Sequence, residues 1–272
     1  MKFKGPLVLV RGGGDLATGV AARLHRSGFA VVVTEIAQPL AVRRLVALAE
    51  AVYAGEVEIE ELRARKVEGI EAVREALVGG IIPVLVDPEA RSSGELKPLA
   101  LIDGRMLKQA QAVDLDAAPL VVGLGPGFTA EINCHAVVET KRGHALGRVR
   151  WQGPAEEDTG VPESVAGHAL DRVLRAPAAG EVRSRVALGT LVEKNDLIAT
   201  VGNVELVAPF DGALRGLMHD GVRVKAGEKI GDLDPRRQID YCFQISDKAL
   251  AVGGGVLEAL LSRAEIRRAL GA

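Results

Sequence analysis

Val8-Leu9-Val10-Arg11-Gly12-Gly13-Gly14-Asp15-Leu16-Ala17 is an apolar run that breaks on three glycines and resumes with helical spacing. Glycines where a first strand turns into a first helix fit a loop that lets a phosphate approach the backbone. Read as G-x-G-x-x-A, Gly12 makes the tight turn, Gly14 admits the phosphate, and Ala17 lets the helix sit close on the strand. The helix start, with Gly13 leading into it, offers unpaired N–H groups and a positive dipole end to an anion. Glu35, twenty-one residues after Gly14, ends the next apolar run, where a carboxylate can accept both ribose hydroxyls of a nucleotide. Asp15 complicates this reading: its charge lies beside the phosphate position, and it can equally serve as a helix cap. The alternative is a turn that needs glycine for backbone geometry alone and binds nothing.

Outward from this loop, the first third of the chain alternates strands and helices. Pro6–Val10, Phe29–Thr34 and Ile81–Val86 read as strands; Leu16–Arg26, Pro39–Tyr53 and Gly69–Val78 read as helices. Continuous apolar strands in such alternation indicate a parallel sheet covered on both faces. The fold class predicted is therefore α/β, with a Rossmann-like domain over residues 1–168. Its second part is strand-rich, with Leu99–Ile102, Pro119–Gly123, Asn133–Glu139 and Gly147–Trp151 as strands and Arg105–Ala112 as a short helix. Residues 153–168 are rich in glycine, proline and acid and read as a loop or linker.

An internal repeat follows. Ala176-Pro177-x-x-Gly180-x-x-Arg183, with Gly189, Val192 and Ile198, returns 32 residues later as Ala208-Pro209-x-x-Gly212-x-x-Arg215, with Gly221, Val224 and Ile230. Each copy is a set of short strands punctuated by glycine turns, too small to bury a face alone, so the two must share a core. The pattern resembles the biotinyl/lipoyl-type barrel-sandwich hybrid, which implies a small all-β domain over 174–235. Carriers of that fold present a modifiable lysine between the halves, and no lysine occurs between Lys194 and Lys225, so no covalent biotin or lipoyl group is expected. Residues 236–272 return to helical character, interrupted by Gly253-Gly254-Gly255.

Composition bounds the function. Among 272 residues, 34 basic side chains face 36 acidic ones for a net charge of −2, which argues against broad electrostatic capture of nucleic acid. Aromatic residues are only 3%, leaving little material for base stacking, and the core must be aliphatic. Cys134 and Cys242 are too few and too far apart for a disulfide framework or a zinc cluster. No uncharged apolar stretch approaches a membrane span, and the N-terminal apolar run is too short for a signal peptide. A cytoplasmic protein without a membrane partner is expected, and a homo-oligomer is left open.

A second cluster lies at 123–144. Gly123-Leu124-Gly125-Pro126-Gly127-Phe128 follows an apolar strand and reads as another phosphate-approach loop, through Gly125 and Gly127, or as a tight turn. In the next strand, alternation puts His135 and Glu139 on one face and Cys134 on the other, so they do not converge on a metal. Cys134 reads as a thiolate for sulfur or selenium chemistry or as a buried inert thiol. Thr140 to His144 gathers a hydroxyl, two cations and a histidine beside a glycine, with Arg142 as the anion contact.

In order along the chain, VRGGGDLATG, GLGPGF, VVETKRGHALGRV, DTGVPES, the LDPR ending of the second repeat copy, ISDKA and GGGVLEAL resemble the YqeB-type accessory proteins of selenium-dependent molybdenum hydroxylases. The N-terminal half is similar, more loosely, to xanthine-dehydrogenase accessory factors of the XdhC type. The resemblance implies maturation of a molybdenum hydroxylase, with that client enzyme and cofactor-assembly proteins as partners. The cofactor that the resemblance implies is a molybdopterin, often as molybdopterin cytosine dinucleotide; the other dinucleotide left open, NAD, is favoured over NADP by the glycine loop with Glu35. The resemblance names no residue roles and supplies no catalytic residues, so catalysis is left open. The alternatives are an NAD-dependent oxidoreductase and a non-enzymatic scaffold that recognises the client.

Overall fold

The computed structural model describes residues 4–109, 113–158, 160 and 164–271. Two compact units are made from interleaved stretches of chain. Among the described residues, the first draws on the chain up to Pro39, on Leu48–Asp158 and on the chain from Ile245; the second draws on Leu40–Ala47 and on the later stretch that ends at Gln244.

In the first unit, strands β1 (Leu7–Arg11), β2 (Ala30–Glu35), β3 (Glu56–Ile59), β4 (Leu62–Val67), β5 (Ile82–Val86), β6 (Ala100–Asp103), β7 (Leu120–Leu124), β9 (Ala136–Val138) and β10 (Val149–Arg150) form one sheet. Its order is β10-β9-β7-β6-β1-β2-β5-β4-β3. The inner strands run parallel, while β3 and β10 are antiparallel edges. A separate two-residue pairing joins β8 (Thr129–Ala130) to β11 (Gly153–Pro154). The helices are α1 (Asp15–Arg26), α2 (Ala51–Ala54), α3 (Gly69–Val78), α4 (Ser93–Leu96), α5 (Asp247–Leu261) and α6 (Ala264–Leu270). β1 is buried along its whole length, as an unbroken Leu-Val-Leu-Val run in a covered parallel sheet should be. Phe128 is fully buried among Leu9, Leu101, Val121 and Val137, and Val73 of α3 packs with Val32 and Leu85.

The Rossmann expectation is corrected here. The sheet is mixed, and β5 lies beside β2 where a doubly wound sheet of the expected kind places the next strand in sequence, because the β3–β4 hairpin is inserted first. The helical crossovers β1–α1–β2 and β4–α3–β5 are present, but not the one expected after β6. Among the described residues β6 reaches β7 through a single 3-10 turn, Leu115–Ala117, and Arg105–Gln109 of the expected helix 105–112 is not helical. Residues 110–112 lie outside the described residues. The helix expected over Pro39–Tyr53 is absent too: two 3-10 turns, Arg44–Val46 and Leu48–Glu50, lead into the four-residue α2. The backbone donors there are taken by tertiary partners, Leu48 N–H donating to Thr18 Oγ1 at 3.0 Å and Ala49 N–H to the Gly13 carbonyl at 2.9 Å. Tertiary contacts override propensity.

In the second unit, β12 (Val173–Arg175), β13 (Gly180–Ser184), β14 (Leu191–Val192) and β15 (Leu197–Val201) are followed by β16 (Val204–Val207), β17 (Gly212–Leu217), β18 (Arg223–Val224) and β19 (Lys229–Asp234). The 32-residue sequence period is a structural period: β13, β14 and β15 start at Gly180, Leu191 and Leu197, and β17, β18 and β19 at Gly212, Arg223 and Lys229. The copies exchange strands, β14 pairing with β17 and β18 with β13. The result is two four-stranded antiparallel sheets, β12-β19-β17-β14 and β16-β15-β13-β18. No ladder joins their edges among the described residues, so the expected biotinyl/lipoyl-type barrel-sandwich hybrid is corrected to two separate antiparallel sheets. Val182, Ile198, Leu214, Ile230 and Leu233 are fully buried in this unit. Leu40–Ala47 is built in with it: a Cβ on Gly216 would lie 2.7 Å from Val42, and Arg44 Nε donates to the Leu217 carbonyl at 2.7 Å.

The triglycine does not interrupt the C-terminal helix. α5 runs unbroken through Gly253–Gly255, with Ser246 as N-cap accepting from Ala249 N–H at 3.2 Å. Gly253 is where α1 meets α5: a Cβ there would sit 2.5 Å from the Gly19 carbonyl oxygen.

Candidate functional site

In an open parallel sheet, ligands gather beyond the carboxyl ends of the strands, where successive connections leave in opposite directions. Here that point is the end of β1, flanked by β2 and by β6. Five of the sequence-derived residues, Gly12, Gly13, Gly14, Asp15 and Glu35, lie there. Gly12 takes a φ of +91° and donates its N–H to the Thr34 carbonyl at 2.7 Å. Gly13 donates to Glu35 Oε2 at 2.7 Å, and Glu35 Oε1 accepts from Ile36 N–H at 2.8 Å. Gly14 is the N-cap of α1 with no side-chain cap, and a Cβ there would meet nothing within 4 Å. Asp15 turns back on its own helix, Oδ1 accepting from Leu16 N–H at 2.9 Å.

Gly13 cannot become alanine without movement, since its Cβ would fall 2.8 Å from Ala49 N. Gly12 is confined less closely, by Arg105 N at 3.2 Å, and its φ of +91° also disfavours a side chain. The loop is thus closely packed at Gly12 and Gly13 and has room for a side chain at Gly14. Ala17 packs close to Gly104, where a Cβ on the glycine would lie 3.0 Å from the alanine's.

A charged cluster that sequence reasoning missed supports this edge. Asp103, ending β6, has no solvent exposure and holds Arg105 through Nε at 2.9 Å and Nη2 at 2.7 Å. Arg11, ending β1, donates from Nε to the Pro88 carbonyl and from Nη2 to Glu89, both at 2.8 Å, and lies 3.9 Å from Asp103. The available signal was position: a charged residue directly after an apolar strand, as in Val10-Arg11 and Ile102-Asp103, sits at a carboxyl end by construction. Beside the end of β2, a cavity of about 440 Å³ is lined by Ala37, Val52, Lys66, Val67, Glu68 and Val86, among others.

The second cluster is placed differently. A Cβ on Gly123 would lie 2.1 Å from Phe128, one on Gly125 2.7 Å from Thr140 Oγ1, and one on Gly127 2.5 Å from the Leu107 carbonyl. These glycines make room for Phe128 and its loop, and no open face like that of Gly14 is found there. Arg142 forms a two-bond ion pair with Asp247, at 2.7 and 2.8 Å, in the first turn of α5. Glu139 is fully buried and accepts from the N–H groups of Thr140, Lys141 and Glu156, each at 2.8 Å. The loop Gly125–Gly127 bonds within its own neighbourhood: Gly125 N–H donates to the Val138 carbonyl at 3.1 Å, and the Gly127 carbonyl accepts from Asn133 Nδ2 at 3.1 Å.

His135 Nδ1 accepts from Val121 N–H at 2.9 Å, which fixes the ring as a structural acceptor; burial, with the Arg263 charge, pushes its pKa below the usual histidine value. Burial pushes the Cys134 thiol up to about 11, against the sulfur-chemistry reading. Native protein at pH 8 is expected to leave Cys134 unmodified by iodoacetamide, with alkylation appearing on denaturation. Mass spectrometry reads this directly, and rapid native alkylation at Cys134 would contradict the assignment. Among the described residues no group of three His, Cys, Asp or Glu side chains gathers as metal ligands, and no helix is long and apolar enough to cross a membrane.

No protein-family model matches the chain. It is 49% identical over 255 residues, 94% of its length, to the uncharacterized protein YqeB of Escherichia coli strain K12. The chain spans about half, 47%, of that relative. Among solved structures it aligns with an aspartoacylase family protein from Mesorhizobium loti, at 13% identity, a TM-score of 0.27 and coverage of 85% of this chain and 86% of that one. It also aligns with a succinylglutamate desuccinylase from Silicibacter sp. TM1040, at 14% identity, a TM-score of 0.26 and 85% coverage of both. At these scores neither lends a fold or an activity. The molybdenum-hydroxylase expectation is corrected accordingly: the curated relative is described as uncharacterized and lends no molybdenum or selenium role. Maturation of a molybdenum or selenium enzyme, with the two alternatives weighed beside it, is left without support.

Proposed function

We propose that the first unit binds a nucleotide, of the size of NAD or of one of its halves, at the carboxyl edge of its sheet. One observation carries this reading: three complementary features lie along neighbouring strand ends. They are the uncapped start of α1 at Gly14, the Glu35 carboxylate closing β2, and the cavity of about 440 Å³ at the ends of β4 and β5. A phosphate fits the first, where helix N–H groups and the dipole favour an anion. Ribose hydroxyls fit the second, because each oxygen of Glu35 accepts one backbone N–H and retains a further lone pair. A base fits the third, whose volume falls in the range of small-molecule sites. Two free buried cysteines support a reducing, cytoplasmic setting.

The test is thermal unfolding with NAD(H), NADP(H), CTP and CDP on wild type and on Gly14→Val. The valine has room and an ordinary backbone conformation at φ −66°, so the fold should keep its melting temperature while the phosphate approach is filled. A ligand at a hundred times its Kd stabilises wild type by about 2.7 kcal/mol. The expected result is a saturable shift for one of these nucleotides that Gly14→Val removes. Absence of a shift with all of them, or a shift unchanged in the variant, overturns the reading.

A further inference from the structure

The two repeat copies treat one arginine in opposite ways. In the second copy Arg215 is largely buried and lies between two carboxylates: Nε and Nη2 reach Asp232 at 2.6 and 2.5 Å, and Nη1 reaches Asp234 at 3.0 Å. The side chain of Arg215 is 13% exposed. One period earlier, the same three positions are Arg183, Thr200 and Gly202. Arg183 and Thr200 are cross-strand partners on β13 and β15, as the period requires. Both carboxylates are missing, and the Arg183 side chain is 65% exposed.

In their place is a cavity of about 640 Å³, lined by Arg183, Thr200 and Gly202 together with Glu181, Arg185 and Arg223, among others. Arg223 is brought there by the strand exchange, β18 pairing with β13 so that Arg223 stands opposite Glu181. Three guanidiniums therefore face one carboxylate. Glu181 meets Arg183 at 3.4 Å in a solvent-exposed pair, which is weak. Among the described residues neither Arg185 nor Arg223 has an ion-pair partner. The closed second copy shows what this geometry takes when satisfied: carboxylate oxygens bridging an arginine.

We propose that the first-copy cavity is a binding site for a small oxyanion with two negative charges, a dicarboxylate or a diphosphate, which supplies from solution what Asp232 and Asp234 supply within the chain. Arg183 is the central contact, Arg185 and Arg223 flank it, and the Thr200 hydroxyl donates to the ligand. Guanidinium forks suit both kinds of oxyanion. The site belongs to the second unit and is independent of the nucleotide reading.

Isothermal titration of the full chain with pyrophosphate and, separately, with succinate at low ionic strength tests this. Saturable binding of either supports the site, and which one binds assigns phosphate or carboxylate chemistry. Binding should weaken at least tenfold in Arg183→Gln and as salt is raised to 0.5 M. Thr200→Asp supplies the carboxylate of the second copy and should abolish binding while raising the melting temperature, a readout independent of activity. Gly14→Val should leave this binding unchanged, which separates the site from the sheet edge of the first unit. No binding of either anion, or binding undiminished in both Arg183→Gln and Thr200→Asp, overturns the proposal.

Discussion

Replacing Gly253 with alanine is expected to destabilise the protein by about 3 kcal/mol, while the same change one residue later, at Gly254, is expected to stabilise it. The difference is wholly one of place. A Cβ at 253 would lie 2.5 Å from the Gly19 carbonyl oxygen and 2.8 Å from Arg23 Cγ, whereas one at 254 would meet nothing within 4 Å. The clash at 253 includes backbone of α1, which cannot rotate away, and Gly19 is confined in return by the Ala249 carbonyl at 2.5 Å. Overpacking of this kind costs up to about 3 kcal/mol, a fall in melting temperature of roughly 6–12 °C for a chain of this size. At Gly254 only helix propensity changes, and alanine gains up to about 1 kcal/mol over glycine in a helix interior. Urea or thermal unfolding of the two variants decides the matter. Equal effects at 253 and 254 would show that α1 and α5 do not approach through glycine.

These two positions also show what was legible in the sequence and what was not. Three glycines in a row read as an interruption because propensity is a property of the residue alone, while their use here is set by a partner more than two hundred residues away. The helix expected over Pro39–Tyr53 failed for the same reason: its alanines and leucines favour helix locally, but the N–H groups of Leu48 and Ala49 are claimed by Thr18 and Gly13. The β3–β4 hairpin was passed over although Val57, Ile59, Leu62 and Ala64 alternate with charged residues, because its turn, Glu60-Glu61, carries no glycine or asparagine. Glu60 takes a φ of +53° without either. By contrast, β1, α1 and α3 were read nearly to the residue, since buried strands and an amphipathic helix declare themselves through period alone. At the candidate site the glycine loop and Glu35 were visible as a motif. Arg11, Asp103 and Arg105 were not, because no spacing rule links strands whose adjacency only the sheet order reveals.

Asp234→Ala is expected to cost roughly 3–5 kcal/mol, the range for breaking a buried ion pair by removing one partner. Asp234 has no solvent exposure; it accepts from Arg236 N–H at 3.0 Å, from Arg236 Nε at 2.9 Å and Nη2 at 2.6 Å, and pairs with Arg215 Nη1 at 3.0 Å. Burial by itself would push this carboxyl up. The hydrogen bonds from Arg236 and the charges of Arg215 and Arg236 outweigh burial and hold it below the usual aspartate value. A carboxyl depressed in the folded state stabilises the fold fully above its unfolded pKa, about 3.9, and that contribution is lost as pH falls through the lower folded value. Wild type should therefore lose stability between about pH 4 and more acid values, and the same limb should be shallower in Asp234→Ala. Unfolding free energies measured from pH 7 to pH 3 test both points, and curves that differ only by a constant offset would rule out the ionised pair as the source. The variant would also bring the second copy closer to the state of the first, where an arginine at the same position has no aspartate to face. The stability that Asp232 and Asp234 add in one copy is forgone in the other, where Thr200 and Gly202 leave Arg183 open to an anion from solution.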